Sequence, residues 1–360
     1  MKQNTLNTDT VTEMKQSKIK CVVWDLDNTL WHGVLTENDK LTLRENIRAI
    51  MQTLDERGIL QSVASRNTHE DAMAKLKDFG LDEFFLYPQI NWGSKSDSLR
   101  IIKEKTNIGY DTIAFIDDQA FEREEVAFVH PEVQCFSEKQ IDQLLDMDVF
   151  NPRFITDESA RRRRMYQLDA KRNEIEASFS NNLEFLKSLD MKFTISRANK
   201  TDLQRVEELT VRTNQLNATG YTYSYEELEQ MLEDDRLLIL VAALEDKYGS
   251  YGKIGVALID CNDPEIWEIK LLLMSCRVMS RGVGSVLLNF LINYSRKEQK
   301  QLRAHFLPTD RNRMMYITYK FAGFREIATL ENGGQLLSYR TEDQVSYPDY
   351  VDLQIDLLHP

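Results

Sequence analysis

The chain has 360 residues, with a formal net charge of −13 at pH 7 and 29% charged residues. That length predicts two domains, because single cores seldom grow beyond roughly 250–300 residues. The acidic balance argues against nucleic acid as the main partner, and no apolar run approaches the roughly 20 residues of a membrane span. We therefore expect a cytoplasmic protein with no membrane contact. Its four cysteines show no CxxC spacing, so neither a zinc site nor a disulfide framework is indicated.

Residues 1–17 are polar and contain no aromatic residue, which predicts a disordered leader. The first domain is predicted over 18–150. It opens with a hydrophobic strand that ends at Trp24 and is followed at once by Asp25 and Asp27. Residues two apart on extended backbone leave the same face, and two crowded carboxylates favour a hard cation such as Mg²⁺ between them. The alternative interpretation is a strand end capped by acidic turn residues.

Three further chain segments of the first domain place polar residues after a strand or at the start of a helix. A strand over 59–64 ends at Ser65-Arg66-Asn67, Lys95 opens a helix, and a strand over 112–116 ends at Asp117-Asp118. Helices around 43–58 and 68–79 stop at glycines. Strands alternating with helices in this way predict an open parallel sheet, with the polar residues gathered at its carboxyl edge.

In order and spacing these positions resemble the four motifs of the haloacid dehalogenase (HAD) phosphotransferases. The resemblance implies that Asp25 is the nucleophile and Asp27 the general acid/base. It implies phosphate binding by Ser65, Arg66, Asn67 and Lys95, and Mg²⁺ binding by Asp25, Asp27, Asp117 and Asp118. The intervals between motifs leave no room for a cap domain. An open, capless site suits a protein-borne substrate, unless the second domain covers it. The alternative is a structural sheet of similar topology.

A charged helical linker is predicted over 151–190. It contains the run Arg161-Arg162-Arg163-Arg164, the one strongly basic run of the sequence. Such a run is commonly a solvated helix face with some salt bridges. The other interpretation is a docking patch for an acidic acyl carrier protein, recognised through complementary charge.

The second domain is predicted over 191–345, followed by a C-terminal tail over 346–360. Strands are predicted at 192–197, 237–244, 253–260, 266–274 and 301–306, with helices from 201 and over 284–296. This order, with Asn312 and the Gly323-Phe324 pair downstream, resembles the GCN5-related N-acetyltransferase (GNAT) fold. The resemblance implies that Arg281, Gly282 and Gly284 form the backbone cradle for a coenzyme A pyrophosphate. Met279 departs from the family pattern, which favours a carrier-borne phosphopantetheine arm as the ligand.

Cys276 stands between the strand at 266–274 and the predicted cradle. A thiol beside Arg277 and a helix N-terminus suits a nucleophile, although a buried small residue at a strand end is an equal alternative. His305 could act as a base toward Cys276 or simply pack in its strand. Further candidates for pantetheine or acyl binding are amides, which suit carbonyl and hydroxyl recognition: Asn214, Gln215, Asn217 and Asn312.

Nearly the whole chain, from about Ile19 to Arg340, resembles the FkbH-like family, the HAD subfamily IIIC proteins fused to a GNAT-like domain. The resemblance rests on the runs 24–31, 116–123, 212–217 and 275–278. It implies a bifunctional enzyme that dephosphorylates 1,3-bisphosphoglycerate and loads a glyceryl group, as a thioester on Cys276, onto acyl carrier protein for polyketide biosynthesis. Two alternatives remain open. One is a phosphatase with a carrier-binding module, and the other an N-acetyltransferase fused to a sugar or nucleotide phosphatase.

Overall fold

The computed structural model describes residues 17–37, 40–340 and 344–357. The predicted leader, apart from Ser17, lies outside these ranges. The chain divides into two compact units, Met1–Ile155 and Thr156–Pro360. In the described ranges no helix combines the length and the apolar character that crossing a bilayer requires.

The first unit is built on a five-stranded parallel sheet in the order β5-β4-β1-β6-β7, with a separate β2-β3 pair. The strands are β1 (Cys21–Trp24), β2 (Trp31–His32), β3 (Thr42–Leu43), β4 (Leu60–Ser65), β5 (Gln89–Ile90), β6 (Ile113–Asp117) and β7 (Gln134–Ser137). The helices are α1 (Ile47–Glu56), α2 (His69–Asp78), α3 (Lys95–Thr106) and α4 (Ala120–Val129). Strand β1 is fully buried because it lies at the centre of the sheet, between β4 and β6.

The second unit begins with helices α5 (Asp157–Ala160), α6 (Arg162–Glu176) and α7 (Asn182–Ser188), followed by α8 (Leu203–Arg212), α9 (Tyr225–Leu232), α10 (Val286–Lys297) and α11 (Arg313–Phe321). Its strands are β8 (Met191–Arg197), β9 (Leu237–Asp246), β10 (Gly249–Asp260), β11 (Ile266–Met274), β12 (Gln301–Phe306), β13 (Phe324–Thr329), β14 (Gln335–Tyr339) and β15 (Val351–Asp356). They form one mixed sheet in the order β13-β14-β12-β11-β10-β9-β8-β15. Apolar side chains from α10 pack on one face of this sheet, and those from α8 and α9 pack on the other.

Two neighbouring strands of the second sheet separate part-way along their length. Strands β11 and β12 pair in parallel from Ile266 to Ile269, opposite Gln301 to Ala304, and the pairing stops there. A register shift in the pairing of β10 with β11 occurs at the same level, next to Ile269. Such an irregularity re-aims the strand that carries it. A V-shaped opening therefore lies between the carboxyl-terminal halves of β11 and β12.

The helical segment predicted as a linker folds onto the second unit from Thr156 onward. Arg172 of α6 is buried, and its Nε and Nη2 atoms each lie 2.8 Å from a carboxylate oxygen of Asp246 on β9. A buried guanidinium requires such a bidentate partner, and this pairing fixes α6 against the sheet. The segment predicted as a C-terminal tail also folds onto the second unit. Its residues Val351–Asp356 form a strand that pairs in parallel with β8.

Candidate active sites

The carboxyl ends of the central strands of the first unit bring the predicted HAD residues together. Asp25 directly follows β1, and its main-chain N–H donates to the carbonyl of Ile116 at 2.9 Å. The buried Lys95 Nζ lies 2.7 Å from Asp25 Oδ1 and also forms a close ion pair with Asp117. Helix α3 presents Lys95 in its first turn, because Ser94 caps that helix by accepting a hydrogen bond from the Asp97 N–H.

Three carboxylates meet at this edge of the sheet. Asp25, Asp117 and Asp118 each offer an oxygen, and these oxygens lie within 4.8 Å of one another. Burial raises the pKa of Asp25 to about 7, against the lowering effect of Lys95, and the charge of Asp117 raises it further. Burial and the charge of Asp117 also raise the pKa of Asp118. Asp118 Oδ1 is buried without a hydrogen-bond partner, so this oxygen-rich group fits a hard divalent cation such as Mg²⁺.

The Asp27 carboxylate is held away from this group, which differs from the predicted set of four metal ligands. Its Oδ1 accepts hydrogen bonds from Trp31 Nε1 at 2.8 Å and the Leu35 N–H at 3.1 Å, and its Oδ2 accepts one from Asn67 Nδ2 at 2.9 Å. The backbone after Asp27 turns through a left-handed residue, Asn28, at φ 55. The extended geometry assumed from the two-residue spacing therefore ends here. Three N–H donors fix the orientation of the Asp27 carboxylate. A fixed orientation is what proton exchange with a substrate atom requires.

The predicted phosphate-binding residues lie after β4. Ser65 and Asn67 are buried, and Asn67 Nδ2 is 3.3 Å from Ser65 Oγ. Arg66 is exposed, and its Nε donates to the Gly93 carbonyl at 3.3 Å. Its Nη1 also lies 3.0 Å from a carboxylate oxygen of the buried Glu122. The structure thus places all three of these side chains at the edge of the sheet that carries Lys95.

Two residues of this site were not among the predicted candidates. Glu122, on α4, sits between two cations, with its oxygens 3.0 Å from Arg66 and 3.6 Å from Lys95. Thr29 Oγ1 donates to Asp25 at 3.3 Å and accepts from the Asp118 N–H at 3.1 Å. Both lie within the sequence runs that carried the family resemblance, at 24–31 and 116–123. Their contacts depend on how the chain turns after each strand. The positions of the strand ends therefore do not predict them.

A cavity of about 500 Å³ opens beside Asp27. Two residues that bind its carboxylate, Leu35 and Asn67, are among the residues that line the cavity, together with Asp71 and Lys75 of α2. A mixed polar lining suits a polar organic group. The cavity adjoins residues that hold Asp27, whereas Asp25 and Lys95 do not line it.

In the second unit Cys276 begins a short 3₁₀ turn, Cys276–Arg281, directly after β11 and Ser275. Its side chain is half-buried and packs against the apolar core on the α10 side of the sheet. Burial disfavours the thiolate form of the other three cysteines. Burial raises the pKa of Cys21 to about 12 and the pKa values of Cys135 and Cys261 to about 11. The role of Cys276 as a nucleophile stays a prediction.

The predicted pyrophosphate cradle is partly occupied by the protein itself. Arg281 is buried, and its guanidinium binds Glu176 at 3.1 Å and Asn173 at 2.8 Å, both on α6. The Gly282 carbonyl, in a left-handed residue at φ 67, accepts a hydrogen bond from the Tyr350 hydroxyl at 3.1 Å. Around Gly284 the space is open, since an added Cβ would meet no heavy atom within 4 Å. The Arg281 side chain therefore has structural partners, while the predicted cradle of main-chain N–H groups stays a prediction.

The V-shaped opening between β11 and β12 is filled by the segment 216–218. The Met274 N–H donates to the Leu216 carbonyl at 2.8 Å, and the Ala218 N–H donates to the Leu272 carbonyl at 2.9 Å. The Leu307 N–H, just after β12, donates to the Ala218 carbonyl at 3.0 Å. The segment thus continues the sheet across the opening, where main-chain groups of β11 would otherwise lack partners.

The buried amide side chains of Asn217 and Asn312 form hydrogen bonds with backbone groups of the protein. Asn312 Nδ2 donates to the carbonyls of Asn217 at 3.0 Å and Leu307 at 2.9 Å, and Asn217 Oδ1 accepts from the Gly220 N–H at 2.9 Å. Both side chains have no exposed surface. These hydrogen bonds differ from the predicted role of the two amides in ligand recognition. The polar atoms of a buried amide side chain generally pair with nearby backbone groups.

The remaining predicted residues divide between surface and sheet. Asn214 is exposed and Gln215 is half-buried, both at the start of the loop that leads into segment 216–218. His305 Nε2 lies 3.0 Å from Glu268 and 3.3 Å from Lys270, two residues of β11. These contacts fit the interpretation of His305 as a strand residue that pairs with its neighbours.

The basic run 161–164 is not uniformly solvated. Arg161 and Arg164 are exposed, whereas Arg162 is buried and forms a close ion pair with Glu208 of α8. Glu208 also binds Arg205 at 2.7 Å. Although burial acts in the opposite direction, the charges of Arg162 and Arg205 hold the pKa of Glu208 far below its ordinary value.

We expect Glu208→Gln to lower the free energy of unfolding at pH 7 by about 3–5 kcal/mol, because it leaves buried guanidinium groups unpaired. The folded-state pKa of Glu208 is depressed, so its contribution is present above its ordinary value of 4.5 and is lost as the pH falls below it. Urea unfolding from pH 7 to pH 3 should therefore show the wild type and the variant converging. A gap that stays constant down to pH 3 would contradict this electrostatic origin.

No protein-family model matches the chain, and no curated protein matches it. Similar solved structures include the N-terminal part of protein BF1531 from Bacteroides fragilis, which contains a phosphatase domain complexed with Mg. It is 28% identical with a TM-score of 0.33, and 38% of this chain matches 40% of that one. The ribosomal-protein-S18-alanine N-acetyltransferase from Escherichia coli is 16% identical with a TM-score of 0.32, and 43% of this chain matches 99% of it. An N-acetyltransferase from Staphylococcus aureus is 16% identical with a TM-score of 0.30, over 41% of this chain and 96% of that one.

The strand orders of the two sheets carry the assignment of the fold. The first unit is a parallel α/β sheet with its acidic residues at the carboxyl edge, and the second is a mixed sheet that splits between β11 and β12. The predicted α/β fold class, a parallel sheet unit followed by a second α/β unit, is confirmed by these strand orders in the described residues.

Proposed function

We propose that this protein is a bifunctional enzyme that removes phosphate from 1,3-bisphosphoglycerate and loads the glyceryl group as a thioester onto an acyl carrier protein. The observation that carries the proposal is the cluster at the end of β1. There Lys95 bridges Asp25 and Asp117, while three N–H donors hold Asp27 beside a cavity. Nucleophile, cation and proton donor are the parts that phosphoryl transfer to a carboxylate requires.

In the phosphatase step an Asp25 oxygen attacks the phosphorus atom, and the bond from phosphorus to the substrate oxygen breaks. Asp27 donates a proton to that leaving oxygen and then takes one from the water that hydrolyses phospho-Asp25. Lys95 offsets the negative charge of the phosphate, and Ser65 donates a hydrogen bond to it. A Mg²⁺ ion held by Asp25, Asp117 and Asp118 would supply further positive charge at the phosphate oxygens.

In the transfer step the Cys276 thiolate attacks the acyl carbon of the acyl phosphate, and the carbon–oxygen bond to phosphate breaks. The glyceryl thioester then passes to the phosphopantetheine thiol of the carrier protein by thioester exchange, which regenerates Cys276. The exposed Arg161 and Arg164 of the basic run offer positive charge for docking an acidic carrier protein. The position of Cys276 after β11, outside the fully buried core, supports this assignment.

The test is the intact mass of carrier protein after incubation with this protein, Mg²⁺ and 1,3-bisphosphoglycerate. We expect a mass increase equal to one glyceryl group on the pantetheine arm, together with release of inorganic phosphate. Phosphate release with unmodified carrier protein would overturn the transfer half of the proposal. Absence of both products would overturn the whole.

A second candidate is supported by the occupied opening of the second sheet. Segment 216–218 fills the gap between β11 and β12, and Arg281 is bound to α6. A unit sealed in this way could bind a carrier protein without performing acyl transfer, while the first unit acts as the phosphatase. In that case the carrier protein binds and phosphate is released, but the carrier gains no mass. A third possibility, acetyl transfer, predicts turnover of acetyl-coenzyme A.

A further inference from the structure

Charge is unevenly distributed along the chain of the second unit. Residues 269–325 contain eleven lysine and arginine residues and two acidic residues, a formal charge of +9 in a chain whose net charge is −13. This stretch includes Cys276, the predicted cradle and helix α11. A basic region on an otherwise acidic protein favours encounter with an acidic partner, because the local potential steers opposite charge toward it.

Helix α11 packs one face on the core and exposes apolar side chains on another. Met315 and Tyr319 are buried on the core side. By contrast, Met314 is 48% exposed and Phe321 is 89% exposed. Residues seven apart lie on the same side of a helix, and the half-buried Ile317 falls between these two. These three residues form an apolar stripe along the outer side of α11.

Basic residues border this apolar stripe. Arg313 and Lys320 are also seven positions apart, each one position before an end of the stripe, so they lie alongside it. Arg325 follows at the start of β13 and is exposed. Among the residues that the structure describes, no carboxylate lies within 4 Å of these three cations. Lys320 Nζ lies 5.7 Å from the ring centroid of Tyr316, and Arg325 donates to a neighbouring carbonyl. We name the stripe and its basic border the α11 surface.

The α11 surface begins beside the end of strand β11. Asn312, which precedes α11, donates from Nδ2 to the carbonyl of Asn217 at 3.0 Å. Segment 216–218 is bonded in turn to the main-chain N–H of Met274, at the end of β11. Cys276 lies two residues beyond Met274. The side chains of α11 that are buried and the side chain of Cys276 pack against the same core. The α11 surface therefore belongs to the same region of the second unit as this thiol.

We propose that the α11 surface docks the acyl carrier protein, with Phe321 as the apolar anchor and with Arg313 and Lys320 facing acidic residues of the carrier. For the identity of the partner this inference rests on the proposed function. An exposed aromatic side chain bordered by cations fits an acidic protein surface that offers an apolar contact. The basic run 161–164 also offers charge, but α5 and α6, all of whose residues are described, expose no large apolar side chain.

The probe for this surface is an acyl carrier protein in its apo form, which carries no phosphopantetheine and cannot take part in thioester exchange. Calorimetry at low salt should detect one binding site on the wild type, with an affinity that falls as salt is added. Phe321→Ser should weaken binding by about tenfold or more, and Arg313→Glu should weaken it by a similar factor at low salt. Both positions are exposed, so both variants should unfold at the wild-type temperature.

Two exposed residues of the first unit provide matched controls. Phe128 is 88% exposed and Lys105 is exposed, so Phe128→Ser and Lys105→Glu repeat the two changes elsewhere on the surface. Both should bind the carrier protein as the wild type does. Wild-type affinity in Phe321→Ser, an equal loss in Phe128→Ser, or no binding by the wild type would overturn the inference.

Failure of this inference is distinguishable from failure of the proposed function. The binding experiment contains neither an acyl phosphate nor a pantetheine thiol, so it measures docking alone. Unchanged affinity in Phe321→Ser, with glyceryl loading intact, would remove the α11 surface and leave glyceryl transfer standing. The expected pattern of affinities without any glyceryl loading would remove glyceryl transfer and leave the α11 surface as a docking site.

Discussion

Asp25→Asn should reduce the multiple-turnover release of phosphate from 1,3-bisphosphoglycerate, measured without carrier protein, by about 10⁴-fold or more, because the amide cannot accept a phosphoryl group. The protein should remain folded. Asn has nearly the shape of Asp, and its Oδ1 can still accept the hydrogen bond that Lys95 donates to Asp25. Release of phosphate is measured under Mg²⁺, with thermal unfolding of the same sample as the folding control.

Asp27→Asn is the companion variant that tests the division of roles. Asp27 is expected to protonate the leaving oxygen and activate water, so its loss should slow both halves of the phosphatase reaction while Asp25 can still be phosphorylated. Mass spectrometry should then find phosphate on Asp25 in Asp27→Asn and none in Asp25→Asn. Asp142→Asn, at an exposed position, serves as the matched control and should behave as the wild type. Phosphate release by Asp25→Asn within tenfold of the wild type would remove Asp25 as the nucleophile.

Cys276→Ser should reduce glyceryl loading of the carrier protein by about 10³-fold, because a serine hydroxyl is scarcely ionised at neutral pH. Phosphate release by the first unit should stay within about twofold of the wild type, since a separate nucleophile performs it. The measurement is the intact mass of carrier protein against time, with inorganic phosphate followed in parallel. The substitution exchanges sulfur for oxygen and changes little else, so loss of folding is not expected.

Cys261→Ser is the matched control for this thiol. Cys261 is also half-buried and packs against the same core. Its replacement should leave glyceryl loading unchanged. Loading by Cys276→Ser at the wild-type rate would mean that the pantetheine thiol attacks the acyl phosphate directly. In that outcome the second unit binds the carrier protein, and the segment 216–218 is understood as part of a closed structural sheet.

Several features of the first unit followed from local sequence. A run of apolar residues that ends in two aspartates identifies a central parallel strand, because only such a strand is apolar on both faces. Parallel strands place their carboxyl ends at one edge, so Asp25, Ser65 and Asp117 could be grouped before any coordinates were known. The same reasoning placed Lys95 at the start of a helix. Here the backbone geometry translates directly into the arrangement of side chains.

Local sequence failed where side-chain direction depends on a turn or on a distant partner. Asp27 was grouped with the metal ligands on a two-residue spacing, but the turn at Asn28 directs it to Trp31 and Asn67. The side chain of Arg281 binds Glu176 and Asn173 of α6, which the predicted main-chain cradle at this turn did not indicate. A residue 105 positions away cannot be identified as a partner from spacing along the chain.

The sequence by itself determined the two-unit α/β architecture and the carboxylates at the end of β1, since strand periodicity and strand-end chemistry are local properties. Tertiary structure alone decided which charges are buried together. It folded residues 156–190 onto the second unit, closed the gap between β11 and β12 with segment 216–218, and brought Arg162 and Arg205 together around Glu208. The physical reason is that burial and pairing of charge are set by neighbours in space, which the order of residues along a chain does not specify.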